Sequence, residues 1–411
     1  MSNIDFKENN NFLSDLPNEE VFEYSENAQS HKIVPKLVND LQKIINDLLY
    51  KTEDLKKFSK ILSSNNSFLV PEFLKSAFLE NNFIHLIEKP EKLSNLHVGA
   101  VDGGLVTSSL AGMEIIGLKA VGVYLYYGNQ KIIKTKYYPN KHQEIALYPV
   151  YNNFSNSDFD FFASLQRSIL ELKTGIQLLD ESPVSLDYLL MDGSFQIKRI
   201  QSENTELNIL FGKYFALLRK LVKQAQIHNT KLLFIVKDSK VSLFMTILSQ
   251  LLPHIISNFP ELYSLDYRTI LQNLRDSNFM HYLLEPRMRS FIINRAFLNN
   301  EANEIKDIPY SFYLKVVKND IPLRIDMLVR PGKSNQEIIL EVNDICKILL
   351  SMSEFNANFS LPAPIIEADA RARINMEEFE MILDYIRNKT FNYNSIEGIG
   401  LRRSRSPFKF S

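Results

Sequence analysis

The sequence lacks the features of a secreted or membrane protein. Its 411 residues include one cysteine, Cys346, so no internal disulfide bond can form. The first ten residues, MSNIDFKENN, are polar and acidic, unlike a signal peptide. Residues 241–260 carry no Asp, Glu, Lys or Arg, but they contain Pro253 and His254, and their apolar residues recur at helical spacing. We therefore expect a cytoplasmic protein without membrane spans, in which this stretch forms a buried helix that breaks near Pro253.

Several ligand-binding patterns are also missing. No GxxxxGK[ST] motif is present, which excludes a P-loop ATPase, and one cysteine with scattered histidines gives no zinc pattern. An actin-like ATPase or sugar kinase should carry a second glycine-rich loop, but only Gly332, Gly398 and Gly400 follow Gly212. The 47 basic and 48 acidic residues give a net charge of −1, which does not suggest a polycation that coats DNA. Any contact with nucleic acid must use a local basic patch.

Length and composition predict a globular protein of more than one region. The chain is 45% hydrophobic, enough for a large core, and its length suggests two or three domains of about 150 residues. Residues 1–30 hold seven acids and one lysine, and the last eleven residues hold four basic residues and no acid. We expect four regions along the chain. Residues 1–30 form a flexible acidic arm and residues 31–95 an N-terminal helical region. Residues 96–395 form the main domain, with a helical insertion at about 242–300, and residues 396–411 form a basic tail.

Hydrophobic periodicity predicts the order of the elements in the main domain. Alternating apolar residues indicate strands, and apolar residues three or four apart indicate helices. This predicts a β-β-β-α-β-α-β order over residues 97–105, 115–127, 131–138, 158–179, 188–191, 207–226 and 232–236. Two further strands are expected within 310–331, followed by helices over 337–352 and 366–386. Before the main domain, residues 36–83 read as mostly helical, with a break at Pro71.

Acidic residues follow two of the predicted strands. Asp102 ends the first strand and Asp192 ends the fourth, and each precedes a glycine. Glu171 lies on the predicted helix that comes before the fourth strand. Three carboxylates brought together would repel one another unless a cation lay between them. Oxygen ligands suit a hard divalent cation such as Mg²⁺ or Mn²⁺, and two such ions could support hydrolysis of a phosphodiester.

Each of these residues has a simpler explanation. Asp-Gly is common in tight turns, which could account for both aspartates. Glu171 falls nearly opposite the apolar stripe of its helix, so it could be a solvated residue paired with Arg167 one turn earlier. Glu144 is an alternative third acid. These alternatives stay open on the residues alone.

A lysine and a further acid complete the candidate site. Lys237 directly follows the predicted strand 232–236 and could bind a phosphate, and Lys240 is an alternative; either could also be an ordinary surface lysine. Asp369 lies in the first turn of the helix predicted after Pro364, where acids are favoured by the helix dipole in any case. As a fourth metal ligand, Asp369 would join the other acids.

Five short motifs, in this order, resemble the NurA family of nucleases, which have an RNase H-like fold. They are VDGG at 101–104, LELK at 170–173, LLMDGSF at 189–195, IVKDSK at 235–240 and LPAPIIEADARARI at 361–374. The resemblance spans roughly residues 95–390. It implies an α/β fold, an RNase H-like mixed sheet flanked by helices, with Asp102, Glu171, Asp192 and Asp369 as metal ligands and Lys237 as the active-site lysine. Many members have a histidine at the position of Asp369 and a serine at that of Gly104.

The resemblance also implies an activity and partners. NurA proteins are Mn²⁺-dependent nucleases that degrade single-stranded DNA and the ends of duplexes in the 5′-3′ direction. They form homodimers and act with HerA, a hexameric ATPase, in the resection of double-strand breaks. We therefore expect a metal-dependent deoxyribonuclease that uses Mn²⁺ or Mg²⁺. Two other hypotheses are a non-catalytic regulatory subunit of a DNA translocase and, less favoured, an actin-like ATPase.

Overall fold

The computed structural model describes residues 30–88, 92–110, 113–129, 131–139, 143–151, 154–195, 204–237, 239–297, 307–353 and 359–390. The expected basic tail lies outside these ranges, as does the expected acidic arm apart from its last residue. The chain divides into two compact units, Met1–Asp54 and Leu55–Ser411. Within the described ranges, no helix has the length and apolar character needed to cross a membrane.

The N-terminal helix is long, and it ends earlier than the periodicity suggested. Helix α1 covers Ser30–Ser64, and its apolar residues within the first unit, such as Leu41 and Ile44, are exposed. After α1 the chain forms only a short 3-10 turn before strand β1, Ile84–Leu86. The predicted helix is therefore confirmed up to Ser64, but its continuation to residue 83 is wrong. Asn66 explains the change, because its side chain bonds both the amide and the carbonyl of Ile84, at 2.8 Å each.

The next elements match the predicted order, with one added strand. They are β2 Leu96–Leu110, β3 Met113–Gly128, β4 Lys131–Tyr138, β5 Ala146–Val150, α2 Asn156–Glu181, β6 Tyr188–Asp192, α3 Thr205–Ile227 and β7 Lys231–Val236. The sequence reading missed β5, a short and largely exposed strand that pairs with β3. It also ended the first strand too early. Strand β2 continues to Leu110 because its antiparallel pairing with β3 continues there.

The rest of the chain mixes helices with short strands. It contains α4 Leu243–Ile255, α5 Tyr267–Asn273, α6 Asp276–Leu283, β8 Met288–Ser290, β9 Ile293–Asn294, β10 Ile308–Leu314, β11 Leu323–Val329, α7 Asn335–Ser353, α8 Ala363–Ala372 and α9 Met376–Thr390. The expected helical insertion over 242–300 is mostly helical up to the end of α6 at Leu283, and the short strands β8 and β9 follow within its last part. Helix α4 is buried as predicted, but it continues through Pro253 to Ile255.

The single helix expected over 366–386 is wrong, because two helices cover this region. Helix α8 ends at Ala372 and α9 begins at Met376. Asn375 separates them, since its side-chain oxygen accepts a hydrogen bond from the Glu377 amide at 2.9 Å. A side chain that caps a new helix in this way favours a break in the chain direction.

All described strands belong to one mixed sheet. The order is β1-β8-β10-β11-β7-β6-β2-β3-β4, with β5 paired to β3 and β9 to β10. Strands β2, β6 and β7 are parallel, and the other pairings are antiparallel. Residues of α2 and α3 pack with Val101 and Met191 in one hydrophobic cluster, whereas residues of α7 and α8 pack with Ala100 and Leu190 in another. Because neighbouring strand residues point to opposite faces, helices cover both faces of the sheet. The prediction of a mixed sheet flanked by helices is confirmed.

Candidate active site

The parallel centre of the sheet brings two of the predicted acids together. The pairing of β2 with β6 runs from Val98 opposite Tyr188 to Val101 opposite Met191. Asp102 and Asp192 are the next residue on each strand, so both follow the last paired position at the same edge. Asp102 is not at the end of its strand, as the sequence suggested, but at the point where β2 loses its parallel neighbour. The turn explanation therefore fails for Asp102, which lies within a strand and is only 4% exposed.

Lys237 lies between three carboxylates. It follows β7, and its Nζ atom is 3.0 Å from Asp102 Oδ2, 3.4 Å from Asp192 Oδ1 and 2.9 Å from Asp369 Oδ1. Asp369 reaches this point from α8, which packs across the sheet face. Three aspartates from three separate elements thus converge on one cation. We call Asp102, Asp192, Asp369 and Lys237, together with Glu171, the acid site.

Glu171, the fifth residue of the acid site, is buried on α2. Only 6% of the residue is exposed, and Arg167 Nε lies 3.3 Å from its Oε1 atom. The expectation of a solvated glutamate is therefore wrong for exposure and right for the pairing with Arg167. Glu171 also packs on the backbone of Gly103, where a Cβ atom would lie 2.5 Å from Glu171 Oε1. The glycine after Asp102 therefore has a packing role, because only a residue without Cβ leaves room for this carboxylate.

Burial and repulsion from neighbouring carboxylates raise the pKa values of Asp102 and Glu171. Burial raises the pKa of Asp102 to about 8, with a further contribution from the Asp192 charge and an opposing one from Lys237. Burial likewise raises the pKa of Glu171 to about 7, against the attraction of Arg167. For Asp369, which burial alone would shift upward, the hydrogen bond and charge of Lys237 hold the pKa below its ordinary value. A second cation at this site would favour the ionised form of Asp102 and Glu171.

Two clefts border the acid site. One, of about 330 Å³, is lined by Asp102, Asp369, Arg373 and the backbone of Gly103 and Gly104. The other, of about 210 Å³, is lined by Glu171, Asp192, Phe161, Arg167 and Tyr214, among others. The side chains of Arg167 and Arg373 were not among the predicted site residues. Their signal in the sequence was spacing alone, since each lies four residues from a predicted acid.

Lys240 and Glu144, the two alternative site residues, do not contribute to the ion pairs around Lys237. Lys240 is exposed, and Lys237 takes the place among the acids. Glu144 is exposed in the segment before β5. Gly104, at the position where many NurA proteins have a serine, has a steric role here. A Cβ atom at this residue would overlap the carbonyl oxygen of Ala372 at the end of α8. A glycine here allows α8, and with it Asp369, to lie against β2.

The chemistry of these side chains fits a divalent cation, but the described residues do not form a preassembled metal centre. No three Asp, Glu, His or Cys side chains in the described ranges are grouped closely enough to hold an ion. The aspartate oxygens instead face the Lys237 ammonium, a positive charge at the point where they converge. Carboxylate oxygens are the ligands preferred by Mg²⁺ and Mn²⁺. By their chemistry, Asp102, Asp192 and Asp369 could hold such an ion, with Glu171 beside them.

Comparisons with known proteins bear on the family and the fold of the chain. A family model described as the NurA domain matches residues 96–374, about two thirds of the chain. No curated protein matches the chain. The crystal structure of the NurA nuclease from Sulfolobus solfataricus is 18% identical, with a TM-score of 0.53, over 87% of this chain and 96% of that one. This likeness confirms the fold class, an RNase H-like nuclease fold.

Two further solved structures are more distant in shape. A crystal structure of NurA is 11% identical over 87% of this chain and 98% of that chain, with a TM-score of 0.46. A structure of NurA bound to dAMP and manganese is 13% identical over 86% of this chain and 98% of that chain, with a TM-score of 0.40. The family model spans the elements that carry all five predicted site residues. The chain therefore belongs to the NurA family of nucleases.

Proposed function

We propose that this protein is a divalent-metal-dependent deoxyribonuclease whose active centre is the acid site. The observation that carries the proposal is the convergence of Asp102, Asp192 and Asp369 on one cation at the edge of the parallel strands. In open α/β sheets, ligands bind outside the carboxyl ends of the parallel strands. Membership of a nuclease family supports DNA as the substrate, and Mn²⁺ or Mg²⁺ as the metal.

The carboxylates have a clear task in such a reaction. Divalent ions bound here would activate a water molecule and stabilise the leaving oxygen of a phosphodiester. Asp102, Asp192 and Asp369 would hold the ions, and Glu171 would complete the ligand set from the side of α2. Because Asp102 has a pKa of about 8, its proton must leave before it can act as a ligand. Metal binding is therefore coupled to proton release near neutral pH.

Lys237 would have to change partners if a divalent ion were bound by the three aspartates. Its ammonium lies within 3.4 Å of all three aspartates, so a divalent ion cannot join the same oxygens without displacing it. Once released from the aspartates, the lysine can contact a non-bridging oxygen of the scissile phosphate, where it would stabilise developing negative charge. The 330 Å³ cleft beside Asp369 provides room for the scissile phosphate.

We further propose that the protein cleaves single-stranded DNA and processes duplex ends in the 5′-3′ direction, as a homodimer acting with a HerA-type hexameric ATPase in double-strand-break resection. Family membership supports these finer assignments. The non-catalytic hypothesis is disfavoured because the acids are present and three of them contact Lys237. Cleavage of strands labelled at either end, with and without the ATPase, tests the polarity and the partner.

The decisive experiment measures cleavage of single-stranded DNA with Mn²⁺ and with EDTA. We expect Mn²⁺-dependent cleavage by the parent protein and its loss in Asp102→Ala and Asp192→Ala, which both remove site carboxylates. Asp187→Ala is a matched control, since Asp187 is exposed, directly precedes β6, and bonds the His97 amide at 2.7 Å. Cleavage at the parent rate by either site variant, or equal loss in the control, would reject the assignment.

A further inference from the structure

A buried charged cluster lies next to the acid site, on β11. Asp326 is fully buried between β7 and β10, and its carboxylate accepts five hydrogen bonds. The donors are Ser311 Oγ at 2.7 Å, Arg324 Nε at 2.9 Å, Arg324 Nη2 at 3.1 Å, Arg295 Nη1 at 2.9 Å and Ser194 Oγ at 2.9 Å. Burial alone would raise the pKa of Asp326, but Arg324 and Arg295 hold it below its ordinary value. The carboxylate is therefore a charged and fully paired anchor.

One of these donors belongs to the segment that carries Asp192. Ser194 is two residues beyond Asp192, and it reaches Asp326 across the end of β7. Its neighbours are also held: the Gly193 amide donates to the Ile235 carbonyl at 2.9 Å, and the Tyr214 hydroxyl donates to the Phe195 carbonyl at 2.8 Å. The turn needs Gly193, whose φ of +90° is strained for other residues.

The cluster contacts this segment at a second point. The guanidinium carbon of Arg295, which bonds Asp326, lies 5.2 Å from the centre of the Phe195 ring. Both Ser194 and Phe195 are thus tied to the Asp326 cluster, so the backbone after Asp192 has little freedom to move. The Asp326 carboxylate is held by five hydrogen bonds, and a buried hydrogen-bonded network of this kind costs free energy to distort, although Arg295 Nε has no hydrogen-bond partner among the described residues.

The same cluster reaches the segment after Lys237. Arg324 Nη1 donates to Ser239 Oγ at 2.8 Å, and the Ser239 carbonyl accepts from Ser277 Oγ at 3.1 Å. Asp326 and its arginines therefore connect the chain segments after β6 and β7. These segments directly follow Asp192, the last residue of β6, and Lys237. In the acid site, Lys237 Nζ lies 3.4 Å from Asp192 Oδ1.

We propose that the Asp326 cluster positions the Asp192 carboxylate for metal binding, with the Ser194 hydroxyl as the connecting group. The inference rests on the proposed function, since it assigns Asp192 to the metal. Ser194 and Asp326 are positioning residues: they act through Asp192 and do not contact the metal. Groups that orient a metal ligand in this way commonly affect metal affinity or activity by about 10–100-fold.

Two serines that bond the same carboxylate allow a matched test. Ser194→Ala and Ser311→Ala each remove one hydroxyl donor from Asp326, but only Ser194 is joined to the Asp192 segment. We expect Ser194→Ala to raise the Mn²⁺ concentration for half-saturation by about 10-fold. Ser311→Ala should leave it within about twofold, although both variants lose one hydrogen bond to Asp326. Ser194→Thr keeps the hydroxyl and should restore the parent value.

Mn²⁺ binding is measured directly, from the electron paramagnetic resonance signal of the free ion, so the readout does not require DNA cleavage. If the parent protein binds Mn²⁺ but cleaves no DNA, the proposed function fails while the positioning role is still tested. The positioning role is rejected if Ser194→Ala binds Mn²⁺ like the parent, or if Ser311→Ala weakens binding to the same extent. It is also rejected if Ser194→Thr binds no better than Ser194→Ala.

Discussion

The packing of Glu171 on Gly103 gives a sharp prediction about the acid site. A Cβ atom at residue 103 would lie 2.5 Å from Glu171 Oε1, 2.8 Å from Glu171 Cγ and 3.0 Å from Arg167 Cγ. Non-bonded heavy atoms are comfortable at about 3.5–4.0 Å, so Gly103→Ala must push the Glu171 carboxylate back by about 1 Å. The displaced groups are a buried glutamate and its arginine partner, on a helix packed against the sheet.

The expected effects follow from that displacement. Forcing an extra methyl group into a packed core costs about 1–3 kcal/mol of unfolding free energy. A shift of about 1 Å in a catalytic group can reduce the rate about 100-fold. We therefore expect Gly103→Ala to lose about two orders of magnitude in Mn²⁺-dependent cleavage while the protein still folds. The loss should appear in kcat, because the new methyl group disturbs the position of a carboxylate in the acid site.

Cleavage rates and thermal unfolding, measured together, test this prediction. Gly212→Ala is the control, since Gly212 lies in α3 and a Cβ atom there meets nothing within 4 Å. It should keep full activity and gain about 0.5–1 kcal/mol of stability, the usual benefit of alanine over glycine in a helix. Adding Glu171→Asp to Gly103→Ala shortens the crowded side chain and should recover stability. The reasoning is refuted if Gly103→Ala cleaves DNA within threefold of the parent rate.

Three further predictions concern charge at the acid site. The pKa of Asp102 is about 8 in the metal-free folded protein and about 4 in the unfolded chain. Between these two pH values the folded protein binds a proton on Asp102 that the unfolded chain has lost. The free energy of unfolding therefore falls as the pH rises from about 4 to 8. Thermal unfolding against pH should show this slope in the parent but a weaker one in Asp102→Asn. Lys237→Met removes the cation among three carboxylates, so Mn²⁺ should raise the unfolding temperature more than it does in the parent; an equal or smaller rise would contradict the displacement of Lys237. Asp369→Asn should reduce cleavage less than Asp102→Asn, because the Asp369 side chain is 59% exposed and that of Asp102 only 5%; steady-state rates at saturating Mn²⁺ compare them.

Much of the central sheet could be predicted from the sequence, because burial on a sheet leaves a local pattern. Strands β6 and β7 are short apolar runs, and helices α2 and α3 carry apolar residues at helical spacing, so their existence and order were predicted within a few residues. The sequence also indicated that Asp102 and Asp192, at the ends of two predicted strands, could come together with Glu171 from the helix between them. Element ends were less certain, as β2 and α1 show, because pairing with another strand or a single side-chain hydrogen bond decides them.

The amino-acid sequence by itself determined the fold class, the family and the short motifs that contain Asp102, Glu171, Asp192, Lys237 and Asp369. Only the tertiary structure decided that Lys237, and not Lys240, lies among the aspartates, that Glu171 is buried on Gly103, and that Asp326 is joined to the Asp192 segment through Ser194. The physical reason is range. Periodicity records which face of an element is buried, whereas contacts of about 3 Å between residues far apart in the chain depend on how helices and strands pack.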